Sequence, residues 1–404
     1  MEGQGLQDPG GIAVSRKAGC PSTVAPSGLM ALPRTRSQCQ ITKQAEKGKC
    51  MSNMSEKLYV AVTAMGLLVG SAVATKAEDL TIASYGGATE DAYRKEWYEP
   101  FTKATGINIL TDAFTGDVGK VRAMSTTGTY NWQLADSESV IAEIGCQQDF
   151  LERFDLGRLK LTKNDFVPGS LHDCGIPDVI YSVNFAYDTN QVAEPGPKSW
   201  ADFWNMEKWP GKRAMRKSPN GNLEFALLAD GVPMDKVYEV LSTPQGVDRA
   251  FASLSKLKPN IVWWETGAQS VQLLADKEVA MTIGWNGRLY SAAHSEGQKQ
   301  IKTVWNQFRW ETSMWIMPKG APNADAAYEF LKFSSQPEVN AAITKHLTYS
   351  PAIAAAEKYV RPELKSELPT SAENIKNGFP MDVQFWADHQ DDLTQRFNYW
   401  VAQQ

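Results

Sequence analysis

Cysteine and histidine are scarce in this sequence, with 5 Cys and 4 His in 404 residues. His172, His294, His346 and His389 are scattered without ligand spacing and no C-x-x-C occurs, so no metal site is expected. G-x-S-x-G, H-E-x-x-H and the G-x-x-x-x-G-K phosphate loop are also missing, which leaves hydrolase, metalloprotease and nucleotide-binding readings without support. No cofactor is expected. Basic charge is in deficit: residues 78–404 carry 32 Lys+Arg against 42 Asp+Glu, a net charge of −10, a poor match for nucleic acid or an anionic membrane. Internal repeats and long low-complexity segments are lacking in the same stretch, and Asp391-Asp392 reads as a solvated helix face.

The one long apolar run, Leu58 to Val73, is too short and weakly hydrophobic for a comfortable membrane span. With Lys57 before it and small residues at Ala72-Val73-Ala74 and Thr75-Lys76-Ala77 after it, residues 51–77 read as a signal peptide cleaved near Ala77. Residues 1–50 are rich in Pro, Gly, Ser and basic residues without periodicity. They read as an upstream extension outside the fold, with translation starting at Met51 or Met54. The remaining 327 residues suffice for two domains and hold all 13 tryptophans. Only Cys146 and Cys174 follow the leader, and an even count in an exported chain predicts a disulfide between them.

Past the leader the chain starts as β-α-β. A strand over Asp79 to Ser84 breaks at Tyr85-Gly86-Gly87. A helix follows, with Thr89 as its expected N-cap, Tyr93, Trp97 and Phe101 at helical spacing, and Gly106 as its stop. Ile107 to Leu110 reads as the next strand, with more at Gln133 to Ala135, Val179 to Ala186, Arg213 to Arg216, Val279 to Trp285 and Met314 to Met317. Helical stretches such as Val271 to Leu274 and Ala324 to Phe333 fall between them. The alternation predicts α/β sheets with parallel strands. No flexible spacer separates two domains, which suits lobes joined by crossing strands.

Leu80 to Phe101, Thr105-Gly106-Ile107, Tyr130 to Val140, Lys198-Ser199-Trp200-Ala201-Asp202-Phe203-Trp204, Glu278 to Gly287 and Ala326 to Phe333 occur together in this order. The set resembles the periplasmic solute-binding proteins of ABC importers, specifically the spermidine/putrescine-binding family, over essentially all of residues 79–404. The resemblance implies an α/β type II periplasmic binding fold: two lobes, joined by crossover strands, that close over a ligand cleft. Lobe 1 would comprise 79–186 plus 286–335, and lobe 2 187–285 plus 336–404. It further implies a periplasmic monomer that catalyses no reaction and hands a small molecule to the permease subunits of an ABC importer, touching the membrane only through them. A chemoreceptor-coupled sensor could use the same clamp, and an exported α/β enzyme is the alternative of another class.

Candidate ligand contacts follow from this frame. Tyr85-Gly86-Gly87 sits where a strand hands over to a helix, as a backbone anion cradle or simply a tight turn. Within Asp136-Ser137-Glu138-Ser139, Ser137 is the expected contact and Asp136 an even alternative. Trp285-Asn286-Gly287-Arg288 lies at the proposed crossover, and the resemblance places Trp285 against the ligand. Trp264 and Trp310 are expected near the cleft, Thr266-Gly267 is a second candidate cradle, and Tyr349 is carried over from the family's returning segment. The acids that a polyamine needs are replaced by Lys217-Ser218, Gly221 and Arg288, and Arg216 ends the strand that leads there. Two arginines favour a ligand with a carboxylate. Glu265 and Glu311 leave a zwitterion open, while putrescine or spermidine remains the alternative.

Overall fold

A computed structural model describes residues 79–295 and 297–403. The proposed leader and upstream extension lie outside these residues. Ten strands form one sheet: β1 Leu80–Ser84, β2 Ile109–Ala113, β3 Leu134–Glu138, β4 Ile176–Asp188, β5 Arg213–Arg216, β6 Ile261–Trp264, β7 Met281–Trp285, β8 Ile301–Ile316, β9 Ser350–Pro351 and β10 Gly378–Pro380. The main path runs β2-β1-β3-β8-β4-β7-β5-β6, with β9 on β4 and β10 on β8.

The β-α-β start forms as expected, except that its second strand is Ile109–Ala113 and not Ile107 to Leu110. Leu80, Ile82 and Ala83 are fully buried, and Gly86 and Gly87 then turn the chain at φ +66° and +61°, values that favour glycine. This turn is so tight that the helix begins at Gly87 with Gly86 at the N-cap, so Thr89 lies inside the first turn and is not the cap. Tyr93, Trp97 and Phe101 are fully buried as their spacing predicts, and Gly106 ends the helical run at φ +79°.

The expectation of parallel strands needs correction at the centre. β1 runs parallel to β2 and β3, and β5 to β6 and β7. Between these groups, β4 and β8 pair antiparallel to each other, β8 antiparallel to β3 and β4 antiparallel to β7. At 13 and 16 residues, the two long strands carry the sheet from one parallel group to the other. Sequence reasoning finds only the last residues of β8, because Arg309 and Glu311 interrupt its apolar pattern. Both are nevertheless buried, at 2% and 4% exposure.

Aromatic side chains fill the layers beside the sheet. Tyr93 stacks on Trp97 at 4.4 Å and Trp200 on Phe225 at 3.8 Å. Leu347, Ile353 and Leu364 pack into the same cluster as Leu80, Trp97 and Phe330.

Cys146, at the end of the helix Ser139–Gln147, is bonded to Cys174 just before β4, with Cα atoms 5.6 Å apart. The bond closes a loop of sequence separation 28. The Cys146→Ala/Cys174→Ala double variant is therefore expected to lose about 3 kcal/mol of unfolding free energy in the chain-entropy picture. Urea unfolding of both proteins without reductant measures the difference. Coincident curves would show that the bond contributes nothing.

Candidate functional site

The carboxyl ends of β1, β3 and β7 open onto one cavity, a space of about 390 Å³ that is in part open to solvent. Tyr85 follows β1, Glu138 closes β3 and Trp285 closes β7. The first helix adds Thr89 and Tyr93, β4 adds Val179 and Tyr181, and Ser313 and Tyr349 complete the wall. Five lining rings therefore surround the space. Tyr85 and Trp285 lie 6.4 Å apart at 45°, and Tyr181 and Tyr349 6.0 Å apart at 55°.

Arg288 brings a cation into this aromatic shell. It sits in the first turn of the helix Asn286–His294, and its Nη2 donates to the Gly86 carbonyl at 3.0 Å. Its guanidinium carbon lies 5.6 Å from the Trp285 ring centroid. The Nε is buried with no hydrogen-bond partner among the described residues. Two glycines make room for it: a Cβ at Gly87 would stand 2.9 Å from Nη1, and one at Gly267 only 2.6 Å from Nε.

Two acids face the same space. Asp136 and Glu138 are two residues apart on β3 and so share a face. Asp136 accepts a hydrogen bond from Ser313 Oγ, and burial pushes its carboxyl up to about 6, against the lowering effects of that bond and of Arg288. Behind it, Asp178 accepts from the Tyr93 hydroxyl at 2.9 Å, and burial and then the Asp136 charge raise its carboxyl well above the usual range. Glu138 accepts from Arg216 Nη1 at 2.7 Å, a bond that ties the end of β3 to the end of β5. The site thus offers a cation with an unused donor, two carboxylates and an aromatic enclosure, a set that suits a small bipolar molecule.

The profile of bacterial extracellular solute-binding proteins matches residues 96–370. The chain belongs to this family. A γ-aminobutyric acid-binding protein of Pseudomonas aeruginosa is 38% identical over 345 residues, covering 85% of this chain and 97% of the relative. The solute-binding protein MotA of A. tumefaciens B6, solved in complex with glucopine, superposes with a TM-score of 0.75 at 33% identity, over 80% of this chain and 99% of that one. The Atu4243 GABA receptor gives 0.72 at 33% identity, over 81% and 98%. The type II two-lobe binding fold expected from the sequence is thereby established, as is solute binding as the family's role.

Of the residues singled out from the sequence, Tyr85, Trp285, Arg288 and Tyr349 line the cavity together. Gly86 and Gly87 serve it through Arg288, one as acceptor and one by its missing side chain. Arg216 and Trp264 lie across Trp285, around a neighbouring hollow of about 290 Å³. In-register pairing of β5 with β6 sets Arg216 beside Trp264, and the Arg216 guanidinium carbon is 5.3 Å from the Trp285 ring centroid.

Ser137, Asn286, Thr266, Trp310 and Glu311 are not among the lining residues of either space. The alternation of β3 turns Ser137 away and presents Asp136 and Glu138. Asn286 braces the fold: its amide accepts from Ser182 N at 2.9 Å and donates to the Thr348 carbonyl at 2.6 Å. The Thr266 N–H donates to Gln269 Oε1 at 2.9 Å and its carbonyl accepts from Gln269 N at 3.0 Å, so its backbone groups are spent on its own helix. Trp310 is paired with Ser182 and Pro380 within the sheet. Glu265 pairs with Lys217 at 2.9 Å on the exposed surface.

Glu311 belongs to a buried ion network instead. Arg309 donates to Glu311 at 2.9 Å, to Glu224 at 2.8 Å and to Asn220 at 2.6 Å. Glu224 also accepts from Trp386 Nε1 at 2.8 Å and the Tyr238 hydroxyl at 3.0 Å. Burial pushes the Glu311 carboxyl up to about 7, against the opposing pull of Arg309.

Sequence reasoning missed Thr89, Tyr93, Glu138, Val179, Tyr181 and Ser313 as lining residues. The period of two along β3 is a signal that could have found Glu138. Tyr93 reads as core because its ring does pack there, stacked on Trp97, while its hydroxyl donates to Asp178.

Proposed function

We infer that this protein captures a small zwitterionic amino compound of the ω-amino acid class. In this reading Arg288 holds the carboxylate, Asp136 and Glu138 receive the ammonium, and Tyr85, Trp285 and Tyr181 enclose the alkyl chain. The observation that carries it is Arg288, with a buried and unpartnered Nε, lining the same cavity as Asp136. A diamine fits the acids and rings equally well, but it would bury an ammonium beside Arg288 with no counter-charge. The similarity to a γ-aminobutyric acid-binding protein and to the Atu4243 GABA receptor supports an amino-acid ligand.

The physiological setting follows the family. The chain is exported through the leader at 51–77, works in the periplasm, and delivers its ligand unchanged to the permease of an ABC importer. The lobes close as a hinge over the ligand, and β4 and β8 are the strands that bend. We draw the lobe division as 79–186 plus 286–335 against 187–285 plus 336–404. The part of the last stretch that packs beside Leu80, around Leu347 to Leu364, is transferred to the first lobe.

Isothermal titration of residues 78–404 with 4-aminobutanoate and with putrescine tests the reading. Saturable one-to-one binding of the amino acid alone is expected. Binding of putrescine without 4-aminobutanoate would sink it.

Affinity should also depend on pH. A bound ammonium favours the ionised form of Asp136, whose carboxyl stands at about 6 in the free protein. Above that pH the charge is present and affinity is flat. Below it a proton must first be lost, so the Kd is expected to rise towards tenfold per pH unit. Titrations between pH 7.5 and 5 measure this, and a flat profile would remove Asp136 from the ammonium's partners.

A further inference from the structure

Behind the aromatic cavity lies an acid that the binding scheme does not use. The pairing of β4 with β8 sets Pro177 opposite Met314 and Val179 opposite Ser313, so Asp178 is the extra residue of a β-bulge. Val179 and Tyr181 line the cavity, and strict alternation would turn Asp178 to the other face. The bulge brings it round instead. Its carboxylate accepts from the Tyr93 hydroxyl at 2.9 Å and from the Val179 amide at 2.7 Å, and Asn340 of the helix Pro337–Ala342 donates to its carbonyl at 2.8 Å. Asp178 does not itself border the cavity. It is 1% exposed and stands behind Tyr93 and Ser313, which do.

A proton count decides the charge of this acid. The Ser313 hydroxyl is bonded to both Asp136 and Asp178 but has one proton to give, and it gives that proton to Asp136. The bond to Asp178 therefore takes its proton from the acid. The titratable groups that face Asp178 are Tyr93 and Tyr98 from the first helical run and Asp136 from β3, while the Arg288 cation acts on Asp136. Burial and then the Asp136 charge hold the Asp178 carboxyl well above its usual range. Glu138 already shares its charge with Arg216 at 2.7 Å. Asp136 is thus the one acid lining the cavity whose charge is not taken up by an ion pair among the described residues.

We propose that Asp178 is a positioning residue that works as a neutral acid: through Ser313 it aims the Asp136 carboxylate, and by keeping its own proton it leaves the cavity a single unshared negative charge. The proposal rests on the amino-acid reading of the cleft. One such charge across from Arg288 matches a ligand with one ammonium and one carboxylate. An ionised Asp178 would add a second buried charge with no cation to meet it, and would draw a diamine instead.

Titration calorimetry with 4-aminobutanoate between pH 5 and 8, on the wild type, Asp178→Asn and Asp178→Leu, tests this. Asparagine keeps the shape and a donor for Ser313 without a charge, so its Kd at pH 7 is expected within about threefold of the wild type. Its affinity should still fall below a pH of about 6, where Asp136 takes up a proton. Leucine fills the space but leaves Ser313 and Tyr93 without their partner, and should weaken binding about tenfold, the scale of one or two hydrogen bonds. Circular dichroism checks folding, and the asparagine variant decides the charge even where the leucine variant does not fold. A loss of about a hundredfold in the asparagine variant would make Asp178 an ionised partner of the ligand and overturn the proposal. So would a shift of its acid limb by about one pH unit to lower pH, the sign of a like charge removed from beside Asp136. A folded leucine variant that binds as the wild type does would show that Asp178 positions nothing. Failure of the wild type to bind 4-aminobutanoate overturns the cleft reading itself, and the proposal with it.

Discussion

Replacing Arg288 by alanine is expected to weaken binding of 4-aminobutanoate by about two orders of magnitude, close to 3 kcal/mol. The guanidinium is buried against Gly86, Gly87 and Trp285, and its free Nε is the donor assigned to the ligand's carboxylate. Without it a desolvated carboxylate would lie beside ring faces and backbone with no counter-charge. Lysine should restore little, since a point charge on a flexible stem cannot reproduce the planar fork. Titration calorimetry on the wild type and both variants reads the effect, with circular dichroism as the control for folding. Unchanged affinity in the alanine variant would place the carboxylate elsewhere.

The second large effect concerns stability. Arg309→Ala removes the cation shared by Glu224 and Glu311, both at most 4% exposed, and strands two buried carboxylates. A loss of about 3–5 kcal/mol of unfolding free energy is expected. The sign of its pH dependence follows from Glu311, already pushed up to about 7 by burial. Its raised folded value means that protonation favours the native state, and loss of Arg309 strengthens that preference. The deficit of the variant should therefore shrink as pH falls from 8 to 6 and be greatest on the alkaline side. Urea melts at pH 6, 7 and 8 would show it. A deficit below 1 kcal/mol at pH 8 would mean that the network is solvated when the protein breathes.

The first β-α-β unit was legible because every level of its sequence agrees. A short apolar strand meets two glycines, and three aromatics at helical spacing end at Gly106. Arg213 to Arg216 was bounded correctly, and β7 to within two residues. What escaped was local sequence overruled by tertiary partners. The charges in β8 conceal a central strand because Glu224, which neutralises Arg309, lies 85 residues away in the chain. β6, Ile261–Trp264, was not read as a strand.

At the site, Trp285, Arg288 and Tyr349, singled out through resemblance and charge, line the cavity, but Ser137 was preferred over its neighbours because its hydroxyl suits both a cap and a contact. Only the parity of β3, with Asp136 and Glu138 inward, decides between them. The disulfide was legible from arithmetic on cysteines in an exported chain.

For anyone retuning this scaffold as a biosensor, Gly87 and Gly267 are the two positions to leave untouched. Even one methyl group on either would jam the guanidinium in its slot. Selectivity is better reshaped from the acidic rim, whose side chains can be shortened or neutralised while the cationic anchor keeps its seat.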